Sequence, residues 1–358
     1  MIRILVSSTE LSASKIGSWT QRIASFTSKR IDFFNFYLGP TKTVDEKYIF
    51  CKKRPINRLS NLFPHFSQPL FRTANYLKEF KRIYKPSEKI QVVVMDDIML
   101  LAGFAQLKPM GFDFELVYSY HGHSFKTTGN WLNQVDKVLF LTELGYHQTK
   151  SNHQEFTPEV FIIGNGVDSK KYYPINAGDK KLAKINKGFL ADDIVITWLS
   201  NDRPKKGLQL FLKLIPRLVQ KYPNLKVQVI GNSQPIPHFG SRVSAIGRVP
   251  NDDLPIYLQL SDLYCFTSLW EEGFGLTLTE AAKCGNLVIA SENGGIPEVV
   301  NGQSFSFLVS SPNVLSQWEI QIENAMKTLN SYTPDPIFLA SYHSLEDWEN
   351  KFLYALES

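Results

Sequence analysis

Two glutamates, Glu272 and Glu280, stand with seven residues between them in Trp270-Glu271-Glu272-Gly273-Phe274-Gly275-Leu276-Thr277-Leu278-Thr279-Glu280. Each carboxylate can accept hydrogen bonds from hydroxyl groups, and a bond to a charged group contributes about 1.5 to 3 kcal/mol. Gly273 and Gly275 lack a Cβ, so the main chain there can approach a ligand closely. A helix beginning near Leu276 would add free N–H groups that favour an anion in front of them. Together these residues suit a ligand that carries both phosphate and hydroxyls. Taken alone, such a glutamate pair reads more simply as a helix N-terminal charge and a solvated face residue. Its surroundings favour the first reading. Arg203, Lys205 and Lys206, just before Gly207, are cations that could meet charge building on a departing diphosphate.

The elements that must position these groups follow from the pattern around them. Leu263-Tyr264-Cys265-Phe266 is an apolar run of strand length, and Leu276, Leu278, Ala281 and Ala282 suit a helix packed by one face. The acids therefore sit at a strand-to-helix corner. Upstream, Met1–Ser7, Ile31–Leu38, Gln91–Met95, Phe114–Tyr118 and Lys137–Leu141 are strand candidates, with a helix from Ser12 or Ser14 to about Phe26. Downstream come the strand Ile194–Leu199, the helix Gly207–Lys221, the strand Val227–Ile230 ending at Gly231-Asn232, and a helix over Asn313–Leu329. This alternation predicts parallel sheets covered on both faces. Ligands of such sheets gather beyond the carboxyl ends of the strands. That points also to Asp96-Asp97, which suits a helix cap, and to Tyr120-His121-Gly122-His123. The polar stretch Asn176–Lys187 reads as an interdomain linker.

The run Glu-Gly-Phe-Gly-Leu-Thr-Leu-Thr-Glu-Ala-Ala-Lys-Cys-Gly from Glu272, continued by Gly294-Gly295-Ile296-Pro297-Glu298, resembles the signature of the retaining glycosyltransferases of family 4. The resemblance extends more weakly from Phe161 to the C-terminus. It implies the GT-B fold, two facing Rossmann-like doubly wound domains with a C-terminal helix crossing back to the first. The corresponding ranges are 1–170 for an acceptor-binding domain, 188–340 for a nucleotide-sugar-binding domain and 341–358 for the returning helix. By the same resemblance Glu272 contacts the donor sugar, Glu280 the ribose, and the backbone of Gly273, Phe274, Gly275 and Leu276 the distal phosphate. Lys206 and Arg203 hold the diphosphate, although their spacing is shorter than the family's and Lys205 is an alternative to Arg203. His121 falls near the reacting sugar, Gly231 and Asn232 at the donor-facing strand end, and Arg248 and Val249 at the base. Gly17 stands where the family has a glycine pair. The reaction implied is sugar transfer from a nucleotide-diphosphate donor to a hydroxyl of a glycan or lipid-linked acceptor. Anomeric configuration is retained, and the departing phosphate oxygen takes the acceptor proton.

Composition bounds this reading. The 358 residues allow two domains, and 43% apolar with 20% charged residues fits a globular protein. Cys51, Cys265 and Cys284 have no metal-ligand spacing, and no Asp-x-Asp triplet is present, so neither a cofactor nor an essential metal is expected. No apolar run reaches the length of about 18 residues that spans a bilayer, which suggests a cytoplasmic location, peripheral at the inner face of the membrane. Residues 1–165 carry +7 and the rest −2, summing to the +5 of the chain. Between Lys47 and Lys89, basic residues interleave with Phe63, Phe66, Phe71, Tyr76, Phe80 and Tyr84. This mixture suits an anionic membrane surface, and a nucleic-acid surface would look similar, although no nucleic-acid partner is expected; the other reading is a helix whose aromatics face the core. The rivals on the same fold are a nucleotide-sugar epimerase, a sugar phosphorylase and a catalytically silent, membrane-associated partner subunit.

Overall fold

The computed structural model describes residues 1–11, 18–55 and 68–358. They fold as two compact units, Met1–Ile163 with Glu349–Ser358, and Gly164–Trp348. Gly17, Phe63 and Phe66 lie outside the described residues.

The first unit is built on β1 (Ile2–Ser7), β2 (Phe36–Gly39), β3 (Tyr48–Phe50), β4 (Ile90–Met95), β5 (Glu115–Ser119), β6 (Lys137–Phe140) and β7 (Glu159–Ile162). Among the described residues these pair in the order β3-β2-β1-β4-β5-β6-β7, every pair parallel. The connections include α1 (Ser18–Lys29), α2 (Gln68–Ile83), α3 (Ile98–Ala105) and α4 (Glu143–Ser151). Every residue of β4 is buried, which explains the apolar run Val92-Val93-Val94-Met95: helices cover both faces of the sheet. The strand expected over 31–38 is shorter and later, Phe36–Gly39, because Phe34 is spent in an aromatic cluster with Phe26, Phe33 and Tyr37.

In the described part of the basic, aromatic stretch, Tyr76 and Phe80 face the core. On α2, Tyr76, Leu77 and Phe80 are buried, with Phe80 edge-on to Phe104 and Phe114. The Tyr76 hydroxyl donates to the carbonyls of Ser7 and Cys51, 3.1 Å each. Tyr76 and Phe80 therefore hold the sheet and are not free to enter a bilayer, while Lys78, Lys81, Arg82, Lys85 and Lys89 remain exposed.

In the second unit α5 (Ala177–Asn186) precedes β8 (Ile194–Leu199), α6 (Leu208–Lys221), β9 (Leu225–Ile230), β10 (Val243–Gly247), α7 (Leu254–Gln259), β11 (Leu263–Phe266) and α8 (Leu276–Lys283). There follow β12 (Leu287–Ser291), α9 (Ile296–Val300), β13 (Ser306–Val309), α10 (Leu315–Thr328), α11 (Pro336–Ser341) and α12 (Leu345–Glu357). The strands pair in parallel as β10-β9-β8-β11-β12-β13. This order reverses between β8 and β11, as the order of the first sheet does between β1 and β4, and such a reversal opens a crevice at the strand ends.

The expected linker over 176–187 is a helix. Asn176 caps α5 by accepting the Asp179 N–H at 2.9 Å, and Ala177, Ala183 and Leu182 are good helix formers, so polar composition was a poor guide there. The last turns of α12 group with the first unit. Phe352 meets Phe26 edge-on at 5.2 Å, and buried Glu349 pairs with Lys29 at 2.6 Å and Arg30 at 3.0 Å. Cys51, Cys265 and Cys284 are buried free thiols. Among the described residues, no helix is long and apolar enough to cross a membrane.

Candidate functional site

In the second unit, two of the residues singled out in the sequence, Lys206 and Glu272, meet at the reversal of strand order. The loop after β8 carries Lys206 and the loop after β11 carries Glu272, and the Lys206 ammonium contacts Glu272 Oε1 at 2.6 Å. The two loops are tied along their length. The Leu269 N–H donates to the Lys205 carbonyl at 2.8 Å, and the Thr267 hydroxyl lies 3.1 Å from the Lys206 carbonyl. Gly207 makes this approach possible: its φ is +75°, and a Cβ there would fall 1.9 Å from the Thr267 carbonyl oxygen. The Ser268 hydroxyl donates to the same Oε1 of Glu272. Nothing in the sequence pattern singled out Ser268, whose contact depends on a turn closing within the loop.

The glycine pair of the family signature has a structural job here. Glu272 forms a parallel bridge with Gly294, and the Gly295 N–H donates to the Glu272 carbonyl at 2.7 Å. Gly294 has φ +62°, and a Cβ on it would lie 2.5 Å from that carbonyl. The pair thus fixes the backbone of Glu272 from the far side. Beyond it Gly275, the N-cap of α8, provides no side-chain capping bond, so the first amides of α8 have no side-chain acceptor. Phe274 is buried, its ring edge-on to His343 at 4.9 Å. Leu276, the first residue of α8, and Gly273 are partly exposed.

Glu280 lies within α8, hydrogen bonded to the Tyr172 hydroxyl, whose pKa burial first and then this carboxylate push far up, so Tyr172 stays a donor. Tyr172 is a partner that the sequence pattern did not signal. Gly231 and Asn232 follow β9; Asn232 is buried, its Nδ2 donates to the Gln234 carbonyl at 2.9 Å, and its Oδ1 has no hydrogen-bond partner. Such an orphaned buried acceptor is costly unless a ligand or water fills it. The Gly231 N–H donates to Gly247 O at 2.7 Å, which brings the start of Arg248-Val249 to the same strand end. Arg248 and Arg203 are both exposed. Lys205, the alternative to Arg203, lies over the exposed indole of Trp270 at 4.3 Å from its centroid. Of the three cations before Gly207, Lys206 is the one in contact with Glu272.

In the first unit, the carboxyl ends of β4 and β5 hold a separate cluster. Asp97 caps α3, accepting the N–H groups of Met99 and Leu100 at 3.0 Å each. Asp96 does not share that task. Its carboxylate accepts the His121 N–H at 3.0 Å and the Trp19 side chain. The His121 ring stacks on Trp19 at 5.5 Å, its Nε2 lies 3.2 Å from the Ser119 hydroxyl, and its buried Nδ1 has no hydrogen-bond partner. Burial, and then the Arg22 guanidinium, hold the imidazole well below its ordinary range, so it is neutral at pH 7.

Known proteins resemble this chain in sequence and in fold. Residues 179–327, which contain Lys206, Glu272 and Glu280, match the family described as Glycosyl transferases group 1. The GPI3 subunit of Saccharomyces cerevisiae phosphatidylinositol N-acetylglucosaminyltransferase is 29% identical over 182 residues, 47% of this chain and 38% of its own length. A GDP-mannose-dependent monoacylated alpha-(1-6)-phosphatidylinositol monomannoside mannosyltransferase of Corynebacterium glutamicum is 26% identical over 180 residues, 47% of each chain. The match thus spans less than half the length of either relative. Anabaena HepE, solved with UDP and glucose, superposes with a TM-score of 0.68 at 18% identity, covering all of both chains. That likeness shows the fold, and the GT-B architecture of two parallel-sheet α/β domains implied by the sequence resemblance is borne out.

Proposed function

We propose, from the match of residues 179–327 to the family described as Glycosyl transferases group 1, that this chain transfers a sugar from a nucleotide-diphosphate donor to a hydroxyl acceptor with retention. The observation that carries the reading is the Lys206–Glu272 contact of 2.6 Å beside the start of α8. In this reading the α8 amides and Lys206 take the diphosphate, Glu272 orients the sugar and Glu280 the ribose. Asn232 and the Arg248-Val249 backbone serve the base. A cation and an anion about 4 Å apart interact by about 4 kcal/mol at an effective dielectric of about 20. Lys206 can therefore meet the charge that grows on the leaving diphosphate without a divalent metal. Donor binding would draw Lys206 from Glu272, freeing that carboxylate for the sugar's hydroxyls.

The acceptor is a glycan or lipid-linked hydroxyl, in line with the phosphatidylinositol-based acceptors named for both relatives. Thermal-shift screening with UDP-, GDP- and dTDP-sugars is the first test: one class raises the melting temperature, as any ligand selective for the folded state must. With that donor, Lys206→Ala and Glu272→Ala each lower transfer by about 100-fold or more, and EDTA leaves the wild-type rate unchanged. Stabilisation by no nucleotide sugar, or undiminished turnover in both variants, would refute the site.

A further inference from the structure

Two buried tyrosines pack against α8, and their hydroxyls meet different partners. The Tyr264 hydroxyl donates to the Leu199 carbonyl at 3.0 Å and lies 2.9 Å from the Thr277 hydroxyl, so uncharged groups satisfy it. Tyr172 instead donates to the carboxylate of Glu280, a side chain that reaches partly into solvent. The core alone does not call for this arrangement. A phenylalanine would fill the same volume with no hydroxyl to satisfy, and a buried hydroxyl is costly without a partner. What the bond achieves is to hold a long, half-exposed acid in one orientation.

The tyrosine is itself well held. Its segment follows α8 step by step: Tyr172 meets Glu280, the Tyr173 N–H meets the Cys284 sulfur one turn on, and Pro174 borders Gly285, where an added Cβ would fall 3.2 Å from Pro174 Cβ. The Tyr172 N–H closes a turn on the Asp168 carbonyl at 2.9 Å, and Gln259 of α7 donates to the Tyr173 carbonyl at 3.2 Å. An ionised carboxylate has two oxygens and about four acceptor positions. With the tyrosine donating from the interior, the positions left to a ligand lie on the solvent side. A pair of adjacent hydroxyls needs both oxygens in one plane, and an unheld glutamate would give up side-chain rotation to supply it. Held by the tyrosine before the ligand arrives, the carboxylate is spared that loss on binding.

We infer that Tyr172 is a positioning residue: its hydroxyl sets the plane of the Glu280 carboxylate, so that both oxygens meet the two adjacent hydroxyls of a nucleotide ribose. The inference rests on the transferase reading, and deepens it by naming the group that orients its ribose-binding acid.

Calorimetric titration of the full chain compares UDP and GDP with their 2′,3′-dideoxy analogues, which keep the base and diphosphate and lack the hydroxyl pair. Wild type should prefer one ribose form over its analogue by about tenfold or more, and Glu280→Ala should lose that preference. Tyr172→Phe keeps the ring, and we expect it to cut the preference by about fivefold or more, leave the analogue's Kd within about twofold of wild type, and melt within about 5 °C of it. On the Glu280→Ala background the same change should move neither Kd by more than about twofold. With the matching nucleotide sugar, the donor KM of Tyr172→Phe rises by about fivefold or more while kcat stays within about twofold. A tyrosine serving only the fold would weaken both nucleotides alike and lower the melting temperature further. That result, or a preference kept intact in Tyr172→Phe, would overturn the inference and leave the transferase reading standing. A wild-type chain that binds neither UDP nor GDP, or that makes no distinction between ribose and dideoxyribose, would overturn the ribose assignment of Glu280 together with it.

Discussion

Among individual residues, Lys283 shows most directly how chemistry and stability are linked. It is fully buried in α8, one turn past Glu280, and its ammonium donates to the carbonyls of Leu339, Ala340 and Tyr342 at 2.6, 3.3 and 2.7 Å. Burial lowers its pKa to about 8. Between that value and the ordinary 10.5 the unfolded chain binds more protons than the folded one, so this group makes stability rise with pH across that window. Lys283→Met removes the donor from three carbonyls, and we expect a loss of about 1 to 3 kcal/mol at pH 7. Urea denaturation at pH 7 and pH 10 should show the gap between wild type and variant widening at the higher pH; a constant gap would contradict the assignment. Sequence reading could not reach this residue, because its acceptors are 56 to 59 positions away. It did reach Lys206 and Glu272, since a basic residue before glycine and an acid in a glycine-containing turn are local signals. It missed Ser268 and Tyr172, which matter only through contacts made after folding.

Helix α12 is the element whose placement carries the largest energetic consequence. Its first turn stays with the second unit and its remainder packs into the first, through Phe352 and the Glu349 pairs with Lys29 and Arg30. Phe352 is fully buried, so Phe352→Ala should cost about 3 to 5 kcal/mol. Hydrogen exchange checks where that cost falls: protection should drop across residues 1–163 and hold across 164–348, whereas equal loss in both would show that α12 does not belong to the first unit. The helix itself was legible from the spacing of Leu345, Trp348 and Phe352. Helix α5 was not, because its polar face resembles a linker and only the Asn176 cap marks its start. Edge strands β3 and β10 escaped for other reasons: three residues carry too little periodicity to read, and Val243-Ser244-Ala245-Ile246-Gly247 holds only two large apolar side chains.

For the molecule as a whole, the uneven charge survives folding while the aromatic half of the basic segment does not. Tyr76 and Phe80 are buried, and Lys78, Lys81, Arg82, Lys85 and Lys89 stay in water. Membrane attraction through this segment would therefore be electrostatic, worth about 1 kcal/mol per basic residue near an anionic surface. Cosedimentation with phosphatidylserine vesicles should be strong at low salt and vanish near about 0.5 M, where the screening length falls below about 5 Å. Binding to neutral vesicles, or none to anionic ones, would contradict this. What the sequence by itself determined was the class of fold, the strand-to-helix corner bearing Glu272 and Glu280, and a family resemblance, because alternation, turn glycines and signature spacing are all local. Only the tertiary structure decided which cation meets Glu272, why Gly294 must be glycine, and that Asp97 rather than Asp96 caps α3. Those outcomes depend on backbone atoms from separate strands coming within a few ångströms of one another, and sheet register sets that distance.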